Sequence, residues 1–167
     1  VHDDPAGTAA AGVPLAGHYR VDSEGVVPSR LELVRNGRLL NVYMSRGPVK
    51  EFRSSNGHAR SAIVEFPSGR PGNVFVESRK TAPAAELKKK LLELAAEQEL
   101  DYAVMVRKLF PEGVLDMETL LAPPVFAWKV YRDGREELMS GVEFTGVTYR
   151  ALRDIVLTSD EPYVHNY

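Results

Sequence analysis

Cysteine is absent from all 167 residues, which removes a disulfide framework, a thiolate nucleophile and a cysteine-ligated zinc from this stretch of chain. A reducing, cytoplasmic setting is the expectation that fits. Neither sign of charge dominates. Against 21 basic residues stand 23 acidic ones, a formal charge of −2, so no global field draws the chain to nucleic acid or to an anionic membrane. No apolar run approaches the roughly 20 residues that a membrane helix needs. The opening Val1-His2-Asp3-Asp4 has neither the basic nor the apolar region of a signal peptide, and a soluble chain is expected.

The short motifs of phosphate, dinucleotide, acyl-transfer and metal chemistry are missing as well: Walker A, GxGxxG, GxSxG, HExxH, EF-hand and CxxC. His2, His18, His58 and His165 are far apart, and none shares a local ligand spacing with another or with a carboxylate. Each is expected as a surface or hydrogen-bonded histidine, so this stretch carries no complete catalytic centre and binds no metal of its own.

What is present fits a globular domain of average make-up, 44% hydrophobic and 26% charged, long enough for one core. A single domain over 1–167 is expected. The chain starts without methionine and stops at His165-Asn166-Tyr167 directly after a helix-like run; both ends read as cuts from a larger protein. Residues 5 to 17, rich in Ala, Gly and Pro, complete an entry arm over 1–17. An alternating run through Leu31, Leu33 and Val34 reaches Asn36-Gly37 and resumes at Leu39, Leu40, Val42, Tyr43 and Met44, predicting a hairpin at about 31–44. Short strands are expected at 62–66 and 73–78. Leu87, Leu91, Leu94 and Ala95 recur at helical spacing after Pro83, predicting a helix at about 83–100.

Tyr102 to Leu109 is β-rich, and Asp133-Gly134 joins the two arms of a second hairpin at about 125–139. Thr148 is placed to cap a helix at about 148–158 that buries Tyr149, Leu152, Ile155 and Val156. The fold class that follows is α+β with a largely antiparallel sheet.

Four groups invite chemistry. Asp22 and Glu24 would share one face of an extended strand and could serve acid and base work or hold a cation, although a solvated acidic pair at a turn is favoured. Lys88-Lys89-Lys90 reads as the wet face of its helix. Phe126, Trp128 and Tyr131 could stack on bases or sugars, but their strand spacing predicts core packing. Arg46, Lys50, Arg53 and Arg60 surround Ser54-Ser55-Asn56-Gly57 in the densest polar loop, 45–61. An anion-binding loop and a merely solvated one are equally compatible with that pattern.

The runs VHDDP at 1–5, GHYRVDSEGVVPSRLELVRNGRLLNVYMSRGP at 17–48, RSSNGHAR at 53–60, PGNVFVESRKTAPAAELKKKL at 71–91, VFAWKVYRDGREELMSGVEFTG at 125–146 and SDEPYVHNY at 159–167 together resemble the TldD/PmbA family of zinc metallopeptidases, once described as modulators of DNA gyrase. Their order and spacing carry the resemblance, which weakens between about 101 and 124. It implies the C-terminal region of a peptidase whose HExxxH helix lies upstream and whose cysteine ligand lies downstream, so that zinc belongs to the intact parent.

It also implies a peptide substrate in unfolded form, held along a sheet edge. A homodimer or a TldD/PmbA-type heterodimer is the implied assembly. Asn56, His58 and Arg60, on the family-like run, are the residues expected in the wall of the substrate channel. The alternative is a PmbA-like partner subunit or interaction module without the zinc motif. The old gyrase label alone suggests nucleic acid, which is not expected as a partner.

Overall fold

Asp133-Gly134 and Asn36-Gly37 both make the tight turns their sequence demands: Asn36 and Gly37, at φ of 52° and 75°, form a two-residue loop between Arg35 and Arg38, and Gly134, at φ 87°, supplies the left-handed position of a three-residue loop between Tyr131 and Arg135. In this computed structural model the described residues are 1–47, 49–62, 64–110 and 121–166, the side chain of Tyr149 excepted. They form two compact units, Val1–Ser78 with Pro162–Tyr167, and Arg79–Glu161.

The second unit is built as the sequence predicts in its larger elements. Pro83, extended at φ −60° and ψ 154°, precedes the helix Ala84–Glu97, and Glu86 lies in its first turn, where a carboxylate complements the helix dipole. The helix stops where Glu99 takes φ 58° and the Leu100 N–H donates back to the Ala95 carbonyl at 2.9 Å, a left-handed C-terminal closure. Tyr102–Leu109, Pro124–Tyr131 and Glu136–Met139 make an antiparallel sheet with Pro124–Tyr131 in the middle. Ala103 faces Val130 across the ladder and both are buried.

Two expectations fail in this unit. Phe126 and Trp128 are not core. Ala127 and Val130 take the buried positions, Phe126 stays exposed, and Trp128 is capped by the Arg107 guanidinium 4.6 Å above its ring. The second helix is also absent as an α-helix. Thr148 does cap, its hydroxyl accepting from the Arg150 N–H at 3.3 Å, but the element is a 3-10 helix over Tyr149–Asp154, after which Ile155 is extended at ψ 110°. Leu152, Ile155 and Val156 are exposed. The β-branched pair Ile155-Val156 resists helix and suits the extended run that leads to Thr158–Ser159, parallel to Thr81–Ala82.

The first unit is put together differently. Its strands are only two residues long. His2–Asp3 is the central strand of a sheet with Leu31–Glu32 on one side and Val74–Phe75 on the other. The described residues of this unit also pair as three small hairpins: Ala9–Ala10 with Val13–Pro14, Val34–Arg35 with Arg38–Leu39, and Ala59–Arg60 with Ser68–Gly69. The predicted hairpin at 31–44 therefore shrinks to its turn, and the arm over 5–17 contains paired strands. At 62–66 the chain turns, the Glu65 N–H reaching the Ala62 carbonyl at 3.2 Å, in place of the expected strand; Ile63 in that stretch lies outside the described residues.

Candidate functional site

A two-residue strand cannot hold a sheet by its ladder alone, and in the first unit polar side chains take over that task. Asp3 is fully buried. One of its oxygens accepts the Gly72 N–H at 2.8 Å and the other the Asn73 N–H at 3.0 Å, so a single carboxylate fixes the turn that feeds the Val74–Phe75 strand. The Asn73 amide in turn donates to the carbonyls of Asp4 and Gly7 at 3.2 and 3.0 Å.

His58 is fully buried behind Asp3, its Nε2 3.7 Å from Asp3 Oδ1. Its Nδ1 lies 3.0 Å from the Asn56 carbonyl and must carry a proton to bond there, since a carbonyl only accepts. At 3.7 Å the second nitrogen is beyond a full hydrogen bond but within electrostatic reach of the carboxylate. Burial on its own would raise the Asp3 carboxyl. The opposing pull of His58, the Gly72 N–H and Tyr43 outweighs it and holds the carboxyl below its ordinary value.

Asp22 is the second organiser. Its Oδ1 accepts the N–H groups of Glu24 and Val26 at 2.9 and 2.8 Å, and its Oδ2 accepts that of Ala59 at 3.1 Å. Thus Asp22 is buried, contrary to the expected solvated pair, and Glu24 is turned to the Arg46 N–H at 2.6 Å. Asp22 spends both oxygens on backbone amides and has none left for acid–base work, while Glu24 spends one of its two on the Arg46 N–H. Gly57, at φ 76°, lets the chain pass tightly against the backbone of Val27 and Pro28, and its carbonyl accepts the Tyr19 hydroxyl at 3.0 Å.

Above the Tyr19 ring lies the Arg60 guanidinium, 4.7 Å from the centroid, an arrangement worth about 0.5 to 2 kcal/mol. Burial, followed by the negative charge of Asp3, pushes the Tyr19 phenol up to about 12, with Arg60 pulling the other way. Tyr19 therefore stays a neutral platform for Arg60 across the physiological range.

These contacts shape a cavity of about 540 Å³ within the first unit, bordered by Arg60, Gly17, Gly72 and the run Val74 to Glu77 on one side and by Pro162 to Asn166 on another. Val74–Phe75 is the edge strand of its sheet. Successive backbone groups of a strand point to opposite edges, and Asn73 and Phe75 are the ones paired toward His2–Asp3. The N–H and C=O groups of Val74 and Val76 consequently face away from it, and Val76 is 80% exposed. At the far end of this run Glu77 lies 3.6 Å from His2 Nδ1.

Of the three residues expected in the channel wall, only Arg60 borders the cavity. Asn56 is engaged behind it, accepting the Met44 N–H at 3.0 Å and donating to the Val42 carbonyl at 2.9 Å, and His58 is sealed in. Both support the wall without reaching its face. Asp3, Tyr19 and Asn73 went unsuspected as site builders. No local pattern marks them, because the Asp3–Asn73 bond joins residues 70 apart and the Tyr19–Gly57 bond residues 38 apart.

The donor set does not suit a zinc ion, which takes three or four nitrogen, sulfur or carboxylate ligands. Asp3 with His58, and His2 with Glu77, are pairs and not triads, Asp3 already spends both oxygens on amides, and the described residues contain no group of three candidate ligands. Among them, too, no helix is long and apolar enough to cross a membrane.

Residues 1–166 match the family model described as the PmbA/TldA metallopeptidase C-terminal domain. No curated protein and no solved structure matches the chain.

Proposed function

The chain belongs to the PmbA/TldD metallopeptidase family as its C-terminal domain, and from that premise we propose that it forms the substrate-cleft scaffold of a cytoplasmic zinc peptidase acting on unfolded peptides. The zinc, its HExxxH helix and its cysteine ligand belong to other parts of the parent. The observation that carries this reading is the open edge of Val74–Phe75 along the cavity. An extended peptide can add to such an edge through main-chain hydrogen bonds, which hold any sequence that is not folded. Arg60 forms the wall, with Asn56 and His58 behind it.

The full-length parent provides the test, through its zinc content and its rate of hydrolysis of an unstructured peptide. Val76→Pro removes an outward N–H where an edge strand tolerates proline. It should raise KM about tenfold, the loss of one to two hydrogen bonds, and leave the zinc content unchanged. An unchanged KM would sink the edge as the peptide's seat. A parent with no zinc that supports hydrolysis only when paired with a second subunit would make it the partner subunit instead.

A further inference from the structure

We infer that the cavity reads the direction of the peptide it holds, taking it antiparallel to Val74–Phe75 with its C-terminal carboxylate on Arg60. This rests on the peptide-edge reading and adds to it which way the chain runs.

The two ends of the cavity carry opposite charge. Arg60 stacks on Tyr19, and the Tyr19 ring edge is 3.1 Å from where a Cβ on Gly72 would stand. Arg60 is thereby fixed beside Gly72, the N-terminal end of the edge run. Glu77 closes the same run at its C-terminal end. An added strand that runs antiparallel brings its own C-terminus to the Gly72 end and its N-terminus to Glu77. The cation then meets the peptide's carboxylate and the anion its ammonium. A parallel strand would meet like charge at both ends.

Arg60 is suited to this use. Among the described residues no carboxylate forms an ion pair with it; its face stacks on the Tyr19 ring and it also hydrogen-bonds to Tyr19, but a guanidinium carries five N–H donors and is not exhausted by one partner. Arginine in that state binds a carboxylate through two parallel hydrogen bonds. The five steps from Gly72 to Glu77 span about 17 Å at about 3.4 Å per residue, the length of a peptide of roughly five residues. The ligand class is therefore a short peptide, or the C-terminal end of a longer one, with a carboxylate at that end.

Calorimetric titration of the 167-residue chain with a pentapeptide of alternating valine and threonine tests it. Three forms are compared: the free acid, the C-terminal amide, and an amide ending in glutamate. The free acid should bind about tenfold more tightly than the plain amide. Arg60→Gln should bring that ratio to about one, and Arg60→Lys should keep part of it, since charge survives without the fork; circular dichroism confirms that both variants fold. If the glutamate amide matches the free acid, carboxylate recognition stands and extends to an acidic side chain. Equal binding of acid and amide by the unaltered chain overturns the direction reading and leaves the edge in place. Failure of all three peptides to bind overturns both.

Discussion

The two units of this chain solve the same problem with different materials. Among the described residues of Arg79–Glu161 the buried side chains are Ala82, Ala95, Ala103, Ala127 and Val130, all apolar, in a unit built of an α-helix and strands of up to eight residues. Among the described residues of the first unit the buried apolar side chains are Pro5, Leu31, Met44 and Ala59, and beside them are buried His2, Asp3, Asp22, His58 and Asn73. Where ladders are long, backbone bonds come with the strands and the core needs only volume. Where strands are two residues long, each buried N–H that the ladder misses must be met by a side chain, and carboxylates meet two or three at once. Such a framework is rigid and specific, and it fails abruptly when one member is removed.

The largest effect that would expose this difference is at Asp3. Asp3→Ala strips the acceptors from Gly72 and Asn73 and leaves His58 facing no charge, and should cost about 3 to 5 kcal/mol. Hydrogen exchange at the Asn73 and Ala59 amides should accelerate accordingly. Protection that survives the substitution would mean that the apolar residues alone hold the first unit.

Acid provides the same test without mutation. Because the folded carboxyl of Asp3 lies below its ordinary value of 3.8, its contribution is present in full above that value. It is lost as pH falls through the lower folded value. Stability followed by urea titration from pH 5 down to pH 2, at about unit steps, should fall more steeply in the parent chain than in Asp3→Asn. Parallel curves would detach Asp3 from acid stability.

Glycines sharpen the contrast at a smaller scale. Gly57 and Gly134 share left-handed backbone, at φ 76° and 87°, but a Cβ at Gly57 would collide with the backbone of Val27 and Pro28 while one at Gly134 meets nothing within 4 Å. Gly57→Ala should therefore cost about 3 kcal/mol, conformation plus collision, and Gly134→Ala about 1 kcal/mol, conformation alone. Amide exchange at Ala59 reads the first and the fluorescence of Trp128, the chain's one tryptophan, reads the second. Equal costs would deny that close backbone approach is what sets the first unit apart.

The same division decided what could be read from sequence. The helix from Pro83, the strand Tyr102–Leu109 and the Asp133-Gly134 hairpin were legible because their signals are local and run over eight or more residues. In the first unit alternation has no length over which to show. Its organising contacts join Asp3 to Asn73 and Asp22 to Ala59, separated by 70 and 37 residues. Of the candidate site, Arg60 was legible as a cation in a polar loop. That Tyr19 holds it and that Gly72 lies beside it depends on how three distant segments meet.

The expected helix at 148–158 shows how a correct local signal can mislead, and it gives the smallest prediction. Thr148 caps as its sequence suggests, yet Leu152, spaced to lie on a buried helical face, is 68% exposed. A cap satisfies N–H groups at one end of a helix and adds nothing to its apolar face; burial requires a surface to pack on, which this six-residue 3-10 turn does not find. Leu152→Ser should therefore change stability by no more than about 0.5 kcal/mol, as exposed substitutions do, in urea unfolding followed by Trp128 fluorescence. A buried leucine would lose about 2 to 5 kcal/mol on truncation. A loss in that range would show that the apolar spacing of 149–156 marks a packed face after all, and that Leu152 adds to the five small apolar residues buried among the described part of the second unit.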